Sequence, residues 1–381
     1  MAGIFYGWMG VYYGEMAKMI DTWAYHMESL QEYALLKKDP VEFATNLFRN
    51  DYPGGYEHFF ATKNSWWNDV KANLLIKIMA VFNLLSFGQY YTNVIFYSFI
   101  SLAGPIAIYR VMKEVYSQHI PVLLACFFVP SFLYWTSGLH KEGLIFMGIA
   151  IMIYHFYFGF RDGRFSLKRV LWILAGFLLV LILRNFLVIT LIPPLIAWIL
   201  AAKTKMKPVY CFIMVGVVSV VLFFSLRYLS PGLDFPQATV TKQQEFFKLE
   251  GGSTVEVNPL EPTLASFVKN APQAIGLSII RPYPSDVTHL LSLAASVEIM
   301  ILLLFVLIFL AWRLKNLKPS SLILFFLFFS LAVLFMIGYT VNNLGAIVRY
   351  RSIVLPLLVI PMVANTDWNR IEKLVFTNIK K

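Results

Sequence analysis

A few short clusters of ionisable residues interrupt an otherwise apolar sequence, and they hold the side chains that could do chemistry. His140, Lys141 and Glu142 occupy one short turn, and Arg184 stands in the middle of a long apolar run. The later members are Arg281, Arg349, Tyr350 and Arg351. A guanidinium group is a planar fork of donors that suits phosphate or pyrophosphate, and a carboxylate can take the proton from a hydroxyl group. The clusters therefore combine anion-binding groups with candidate bases.

A first polar segment supplies further carboxylates. Asp21 begins the stretch Asp-Thr-Trp-Ala-Tyr-His26, which continues into helical sequence. We interpret Asp21 either as the N-cap of that helix, a common role for aspartate, or as a general base with His26 nearby on the same helical face. The competing carboxylates are Asp51, Glu57, Asp69 and Glu142.

Each of these residues also has an ordinary structural interpretation. The 140–142 cluster can be a polar turn, Arg184 can extend from a helix end to the membrane surface, and Arg281 can anchor a loop. Arg349 and Arg351 can anchor a helix at the interface. For Arg184, Arg349 and Arg351 position favours the functional interpretation, because they fall on the predicted outer face, where the topology bias of Lys and Arg gives no reason for them. For Arg281 both interpretations stay open.

The elements that must position these side chains are membrane helices. Hydrophobic residues make up 59% of the 381 residues and charged residues 14%, whereas a soluble chain has about a quarter charged residues. The apolar runs are continuous, unlike the alternating segments of a β-barrel, and most are about long enough to cross a bilayer. We predict an all-α bundle of about 9–10 transmembrane spans with interfacial helices on its outer face. The predicted spans are 89–109, 120–136, 143–160, 169–183, 186–201, 208–229, 293–312, 319–339 and 352–366.

The loops between the predicted spans alternate in charge. One set is rich in Lys and Arg and marks the cytoplasmic face, and the other set carries the ionisable clusters. This bias accounts for the net charge of +11, so the basic character does not indicate nucleic-acid binding. Cys126 and Cys211 lie in apolar stretches and indicate neither a disulfide framework nor a metal site. The sequence contains no P-loop or dinucleotide-binding motif.

The chain divides into five predicted segments. They are an acidic and aromatic outer segment with interfacial helices (1–88), a first group of transmembrane helices (89–229), a large outer loop (230–292), a second group (293–366) and a basic cytoplasmic tail (367–381). The apolar start, Met1 to Tyr13, is too short to span, so it is either a partial helix or the remainder after a missing first span. Arg184 is expected in a tight hairpin at the outer surface, because a charge at mid-bilayer is costly.

The chain resembles the polyprenyl-phosphate-sugar-dependent membrane glycosyltransferases of the GT-C class and the related polymerases of surface polysaccharides. The matching features are Asp21 in a large first outer segment, helices of uneven length and a late outer loop. The Arg349-Tyr-Arg351 stretch before Pro356 looks like the arginine-bearing segment that precedes a late span in such enzymes. The stretch 130–142 looks like a segment of uncharacterised bacterial members.

The resemblance implies transfer of a sugar or glycan from a polyprenyl-phosphate-linked donor to a glycan or lipid acceptor at the outer face of a bacterial inner membrane. It implies catalysis by Asp21 or Glu142. The implied substrate-binding residues are His26, His140, Lys141, Arg184, Arg281, Arg349, Tyr350 and Arg351. A divalent metal stays open as a cofactor, because Thr22 follows Asp21 where members of the class commonly have a second carboxylate. Membrane lipids are further expected partners.

Three alternative functions stay open. A polymerase of polysaccharide repeat units would also use outer arginines, on a lipid pyrophosphate, and suits the large late outer loop. A transporter or flippase would need polar groups at mid-membrane and related halves, and Glu298 is the main intramembrane charge. A scaffold subunit of an envelope complex would need none of this chemistry.

The predicted topology can be tested by cysteine labelling in a variant that lacks Cys126 and Cys211. A membrane-impermeant maleimide added to cells should label Gly252→Cys and should not label a cysteine placed beside Gly163, because the surrounding Lys and Arg place the latter loop inside. Permeabilised cells, in which both positions should react, are the control. Labelling beside Gly163 without labelling at residue 252 would invert the topology and remove the basis for an outer site.

Overall fold

A computed structural model of the chain describes residues 21–50, 52, 56, 65–249, 251–314 and 319–379. These residues fold as an all-α, multi-pass membrane protein, and this described part contains two isolated β-bridges and no β-strand. The helices in chain order are α1 (Asp21–Lys38), α2 (Pro40–Thr45), α3 (Trp66–Ser86), α4 (Tyr90–Ser101), α5 (Ala103–Val115), α6 (His119–Phe127), α7 (Pro130–Ser137), α8 (Lys141–Arg161), α9 (Leu167–Leu183), α10 (Asn185–Lys203), α11 (Pro208–Ser225), α12 (Phe235–Phe247), α13 (Leu264–Ile275), α14 (Leu290–Trp312), α15 (Ser321–Thr340), α16 (Leu344–Arg351), α17 (Leu355–Ala364) and α18 (Trp368–Ile379).

Within the described residues, six helical segments are long and apolar enough to cross a membrane, or up to eight when each of two bent helix pairs counts as one span. The bent pairs are α6 with α7 and α16 with α17. The remaining predicted span corresponds to α9, whose 17 residues extend about 26 Å at 1.5 Å per residue. The predicted polytopic helical bundle is confirmed.

The late bent pair differs from the sequence prediction, which expected a loop up to residue 351. Instead the chain forms α16, whose N-terminus is capped by Asn343: its side-chain oxygen accepts a hydrogen bond from the Ala346 amide at 3.0 Å. The two helices are bent by 58° at the break between them. Pro356 lies in the first turn of α17, where its missing N–H costs no intrahelical bond. Arg351 is thereby the last residue of a helix at a break in the span.

The chain forms two compact units. Unit 1 comprises Met1–Ile108 and Leu133–Val188, and unit 2 comprises Tyr109–Phe132 and Ile189–Lys381. In unit 1, α8 packs against α9 and α1 packs against α3. Buried amides join the second pair to α4, because Asn83 donates to the Ser29 hydroxyl at 3.1 Å and Asn93 donates to the Asn83 side chain at 2.7 Å.

Two glycines set the distance between α8 and α9. A Cβ atom on Gly176 would lie 2.5 Å from the Gly148 carbonyl oxygen, and a Cβ atom on Gly148 would lie 2.9 Å from the Gly176 carbonyl oxygen. Small residues allow two membrane helices to approach backbone to backbone in this way. The turn between the helices is held by Asp162, which pairs with Arg161 at 3.0 Å and Arg169 at 2.5 Å. Hydrogen bonds from these guanidinium groups hold the pKa of the Asp162 carboxyl below its ordinary value, with Arg169 the larger influence.

Unit 2 is arranged around α15, which contacts α11, α12, α13, α16 and α17. The α15 side chains Phe325, Phe326 and Phe329 are fully buried. The predicted large outer loop, 230–292, contains α12, α13 and a π-helical turn at Gly276–Ile280. Within it, Val240, Leu260 and Phe267 form a cluster that continues the core of the unit. The apolar residues of 263–280 have the spacing of a helix, and the structure forms α13 and this turn there.

The glycine contact between α8 and α9 can be tested by adding a single methyl group. Gly176→Ala should lower the free energy of unfolding by about 1–3 kcal/mol, because the new Cβ meets a backbone oxygen that cannot rotate away. Gly216→Ala is the matched control: its Cβ would lie 3.6 Å from Phe328, an ordinary contact, and alanine favours the helix. Unfolding by SDS in mixed micelles measures both changes. Equal stability of the two variants would show that α8 and α9 do not need this close approach.

Candidate functional site

The packing of α8 against α9 brings two of the predicted site residues together in unit 1. Glu142 lies in the first turn of α8, and Arg184 is the C-cap of α9. The Arg184 Nη2 atom donates to the Glu142 Oε1 atom at 2.9 Å, and the Glu142 side chain is fully buried. A carboxylate at a helix N-terminus and a cation at a helix C-terminus are each favoured by the helix dipole. The pair predicted to share the outer face therefore makes direct contact.

Close contacts also hold the turn that precedes α8. The Tyr97 hydroxyl donates to the His140 carbonyl, and the His140 ring packs against Trp135 with ring centroids 4.9 Å apart. A Cβ atom on Gly143 would lie 2.6 Å from the Thr136 carbonyl oxygen, so only glycine fits at this position. These contacts fix the direction in which α8 begins, and thereby the position of Glu142.

Lys141 connects this turn to the first polar segment. Its Nζ atom lies over the Tyr25 ring, 5.4 Å from the centroid, and Tyr25 belongs to the first turns of α1. Asp21 is the first residue of α1, one helical turn before Tyr25, and its side chain lies outside the described residues. Asp21, the predicted catalytic residue, therefore begins the same helix, α1, that contacts Lys141 through Tyr25.

His26 is buried on α1 rather than presented to a cleft. Its ring packs against Tyr90 at 5.3 Å and Trp23 at 5.7 Å. Burial lowers the pKa of His26 below its ordinary value, and a hydrogen bond with the backbone of Gly88 opposes that shift. The ring is therefore neutral at neutral pH. These contacts favour a packing role for His26 at the base of α1.

Unit 2 contains a buried cation, Arg351. Its Nη1 atom donates to the carbonyl of Ser278 at 3.4 Å and to the carbonyl of Arg281. Both carbonyls belong to the end of the π-helical turn, where a cation offsets the negative end of the helix dipole. The Nε and Nη2 atoms of Arg351 have no hydrogen-bond partner in the part of the chain that the structure describes. Part of a fully buried guanidinium is therefore left available for a ligand.

The guanidinium group borders an apolar cavity of about 90 Å³. Apolar side chains from the π-helical turn, α14, α15 and α17 form most of its lining. Glu298, on α14, is buried in the same unit: its Oε1 atom accepts a hydrogen bond from the Ser131 amide at 2.8 Å, and its charge interacts with that of Arg351. Arg351 is thus the charged residue of an otherwise largely apolar lining.

The other predicted residues of unit 2 have different surroundings. The Arg281 Nε atom lies 3.5 Å from the Asp286 carboxylate, and its guanidinium lies over the Tyr283 ring, which is the contact pattern of a loop anchor. Tyr350 packs against Phe246 with centroids 6.4 Å apart. Because 344–351 is helical, residues two positions apart point about 200° apart around the axis. Arg351 and the half-buried Arg349 therefore lie on different faces of the helix and do not bind one phosphate together from a single face.

The described contacts group the predicted residues into two sets. In unit 1, His140, Lys141, Glu142 and Arg184 lie at one end of the α8–α9 pair. In unit 2, Arg351 contacts the Arg281 carbonyl. From their shared predicted outer face, the sequence also predicts that Arg184, Arg349 and Arg351 line one cavity. This stays a prediction, because Arg184 belongs to unit 1 and the other two belong to unit 2.

Four contributing residues were not among the predicted site residues. They are Tyr25, Tyr97, Ser278 and Glu298. Glu298 carried a usable signal, because it is the single charged residue of an apolar helix. The tyrosines and the serine carried none, because aromatic and small polar residues recur throughout the chain and only the packing selects these three.

Metal binding was left open by the sequence. Among the residues that the structure describes, no group of three or more His, Cys, Asp or Glu side chains could hold a metal ion. The Asp21 side chain is not among them, so a divalent metal at that residue stays a prediction.

Comparisons of the chain with protein-family models, with curated proteins and with solved structures find no match.

The buried ion pair can be tested with a double-mutant cycle. Glu142→Gln and Arg184→Met should each cost about 3–5 kcal/mol of unfolding free energy, because each leaves an uncompensated polar or charged partner buried. The double variant Glu142→Gln/Arg184→Met should cost less than the sum, since no charge remains. Glu245→Gln breaks the more exposed Lys242–Glu245 pair and should cost about 1 kcal/mol or less. Additive losses at Glu142 and Arg184 would exclude a coupled pair.

Proposed function

We propose that this protein is a membrane glycosyltransferase that moves a sugar or glycan from a polyprenyl-phosphate-linked donor to an acceptor. The transfer would take place at the outer face of a bacterial inner membrane, in the assembly of cell-envelope polysaccharide. The observation that carries the proposal is Arg351, a fully buried guanidinium with two nitrogen atoms unbonded in the described structure, beside an apolar cavity in unit 2.

A buried arginine of this kind is costly unless something binds it. A charged group at the level of the hydrocarbon core costs at least about 2.5–3.5 kcal/mol, and the two carbonyls bonded to Arg351 satisfy only its Nη1 atom. A phosphate or pyrophosphate would accept from Nε and Nη2 in the bidentate geometry that guanidinium favours. An anionic ligand would therefore remove the cost that the isolated chain carries.

The surroundings of Arg351 favour a lipid phosphate over a soluble one. The cavity is lined by Leu302, Leu303 and Val306 of α14 on one side, and Leu303 is also exposed on the outside of its helix. The cavity therefore borders the surface that faces lipid. Its volume of about 90 Å³ admits only the first part of a hydrocarbon chain, so the rest of a polyprenyl tail would lie along that surface.

The proposed chemistry divides the carboxylates by role. The acceptor hydroxyl attacks the anomeric carbon, the bond from that carbon to the phosphate oxygen breaks, and a base takes the hydroxyl proton. The Glu142 carboxylate is fully buried and paired with Arg184, so Asp21 stays the base that the sequence predicts. Glu142 and Arg184 then position the turn that carries Lys141. The lipid phosphate leaves with its negative charge stabilised by Arg351.

A repeat-unit polymerase is the second candidate. The segment 230–292 is folded and packs through α12 and α13 against α15, in the same unit as Arg351. A folded platform of this size suits an enzyme that holds a long glycan, and the same arginine would take a lipid pyrophosphate. The two candidates share their anion chemistry and differ in the lipid-linked species that they consume.

Lipid-linked glycan analysis of a deletion strain separates these functions. Loss of a transferase should accumulate a lipid-linked monosaccharide, whereas loss of a polymerase should accumulate lipid-linked repeat units. Wild-type protein should restore the profile, Asp21→Asn should not, and Arg351→Lys should lower transfer about 10- to 100-fold because it keeps the charge and loses the fork. Arg164→Lys, in a predicted cytoplasmic turn, is the matched control.

The proposal fails if the deletion leaves the lipid-linked and polymeric glycans unchanged. In that case a transporter or a scaffold role takes precedence. If Arg351→Lys and Arg351→Gln are fully active at normal protein levels in the membrane, Arg351 does not bind the donor and the proposal loses its main support.

A further inference from the structure

Unit 1 contains a second, larger pocket that the ion pair and its neighbours do not use. It has a volume of about 380 Å³ and lies where α1 and α3 meet the 3₁₀ turn that follows α2. The side chains that matter for its chemistry are Glu32, Asn46, Trp66, Asn73 and Lys77. Its size falls within the range of small-molecule pockets, roughly 300–1,000 Å³.

Each charged side chain on the described lining of this pocket already has a partner. Lys77 pairs with Glu32 at 2.9 Å, and Arg49 pairs with Glu42 at 3.0 Å. The remaining carboxylate, Asp69, accepts a hydrogen bond from the Tyr52 hydroxyl at 2.6 Å. Among the described lining residues the four formal charges cancel, so these residues supply no excess of cations for a phosphate and no excess of carboxylates for a cation.

The buried polar atoms of this pocket that lack a hydrogen-bond partner in the described residues belong to uncharged side chains. The Asn46 Oδ1 atom, an acceptor, and the Trp66 Nε1 atom, a donor, are buried and have no hydrogen-bond partner in the described part of the chain. The Asn46 amide nitrogen is taken by Glu32 at 3.2 Å, so this side chain is already held in place. A buried donor and a buried acceptor left unbonded cost about 1–3 kcal/mol each unless a ligand or water satisfies them.

We propose that this pocket binds a saccharide of one or two units. A sugar hydroxyl donates and accepts at the same time, so it can satisfy both Asn46 and Trp66, and the carboxamide of Asn73 offers further contacts. The indole supplies a flat apolar surface for the C–H face of a sugar ring. A lipid tail would leave the polar lining unsatisfied, and a phosphate would meet cations that are already paired.

The proposal that this saccharide is the acceptor of the transfer rests on the proposed function. The pocket itself does not, because its chemistry is independent of Arg351 and of the lipid donor. Saccharide binding by purified protein and the lipid-linked glycan profile of the deletion strain are therefore separate measurements. Saccharide binding together with an unchanged glycan profile in the deletion strain would support the pocket and contradict the transferase. A changed glycan profile without saccharide binding would support the transferase and contradict the pocket.

The test is saturation-transfer NMR on the full chain in lipid nanodiscs, which avoids detergents that contain sugar. The probes are glucose, galactose, mannose, N-acetylglucosamine, glucuronate, maltose and lactose, with inorganic phosphate as a competing ligand class. At least one saccharide should bind. Trp66→Phe, which keeps the ring and loses the N–H group, should weaken binding about 3- to 10-fold, and Asn73→Ala should weaken it by a similar factor.

Trp67→Phe is the matched control. This neighbouring indole donates to the Tyr56 carbonyl at 2.8 Å and is not part of the pocket lining, so its loss should leave saccharide affinity unchanged. Thermal unfolding of each variant in nanodiscs confirms that the unit stays folded. Failure of every saccharide to bind, equal affinity of the wild type with both pocket variants, or preferential binding of phosphate would each overturn the proposal.

Discussion

Burying a charged side chain inside membrane helices requires a partner for it, and this constraint shapes the described structure of unit 1. Glu142 is fully buried, and Arg184 neutralises it from the adjacent helix. The contact depends on the backbone approach at Gly148 and Gly176, which lets α8 and α9 lie close enough for the two ends to meet. Because breaking a buried pair leaves one charge uncompensated, the ends of both helices and the turn at His140 are held together.

Arg351 in unit 2 meets the same constraint in a different way. Its Nη1 atom is satisfied by two carbonyls of the π-helical turn, while its Nε and Nη2 atoms have no partner in the described residues. Glu298 provides electrostatic support within the same unit. A charge that is satisfied by its own chain is a structural element, whereas a charge left partly unsatisfied beside an apolar cavity is a candidate binding group. On this difference we base the proposal that Arg184 positions the turn and that Arg351 binds the ligand.

The chemistry of the two proposed ligands follows from the two linings. An apolar cavity with one guanidinium matches a lipid that carries a phosphate, and a neutral polar pocket with an indole and amides matches a saccharide. A glycosyltransferase that uses a lipid-linked donor needs both classes of ligand. A transporter of either ligand would need only one of these sites. The two linings therefore suit a transferase and a repeat-unit polymerase alike, because both enzymes take a lipid-linked donor and a glycan.

The sequence by itself determined the fold class, because long continuous apolar runs have only one stable arrangement in a bilayer, the helix. It also identified the cluster at Glu142 and the isolated Arg184, since charged residues are rare and conspicuous in such runs. It could not determine that Arg349 and Arg351 point to different sides, because Asn343 starts a helix where the polar composition indicated a loop. Nor could it reveal the contacts of Tyr25, Tyr97 and Ser278 or the pocket at Trp66, because ordinary residue types acquire these roles only when distant helices pack together.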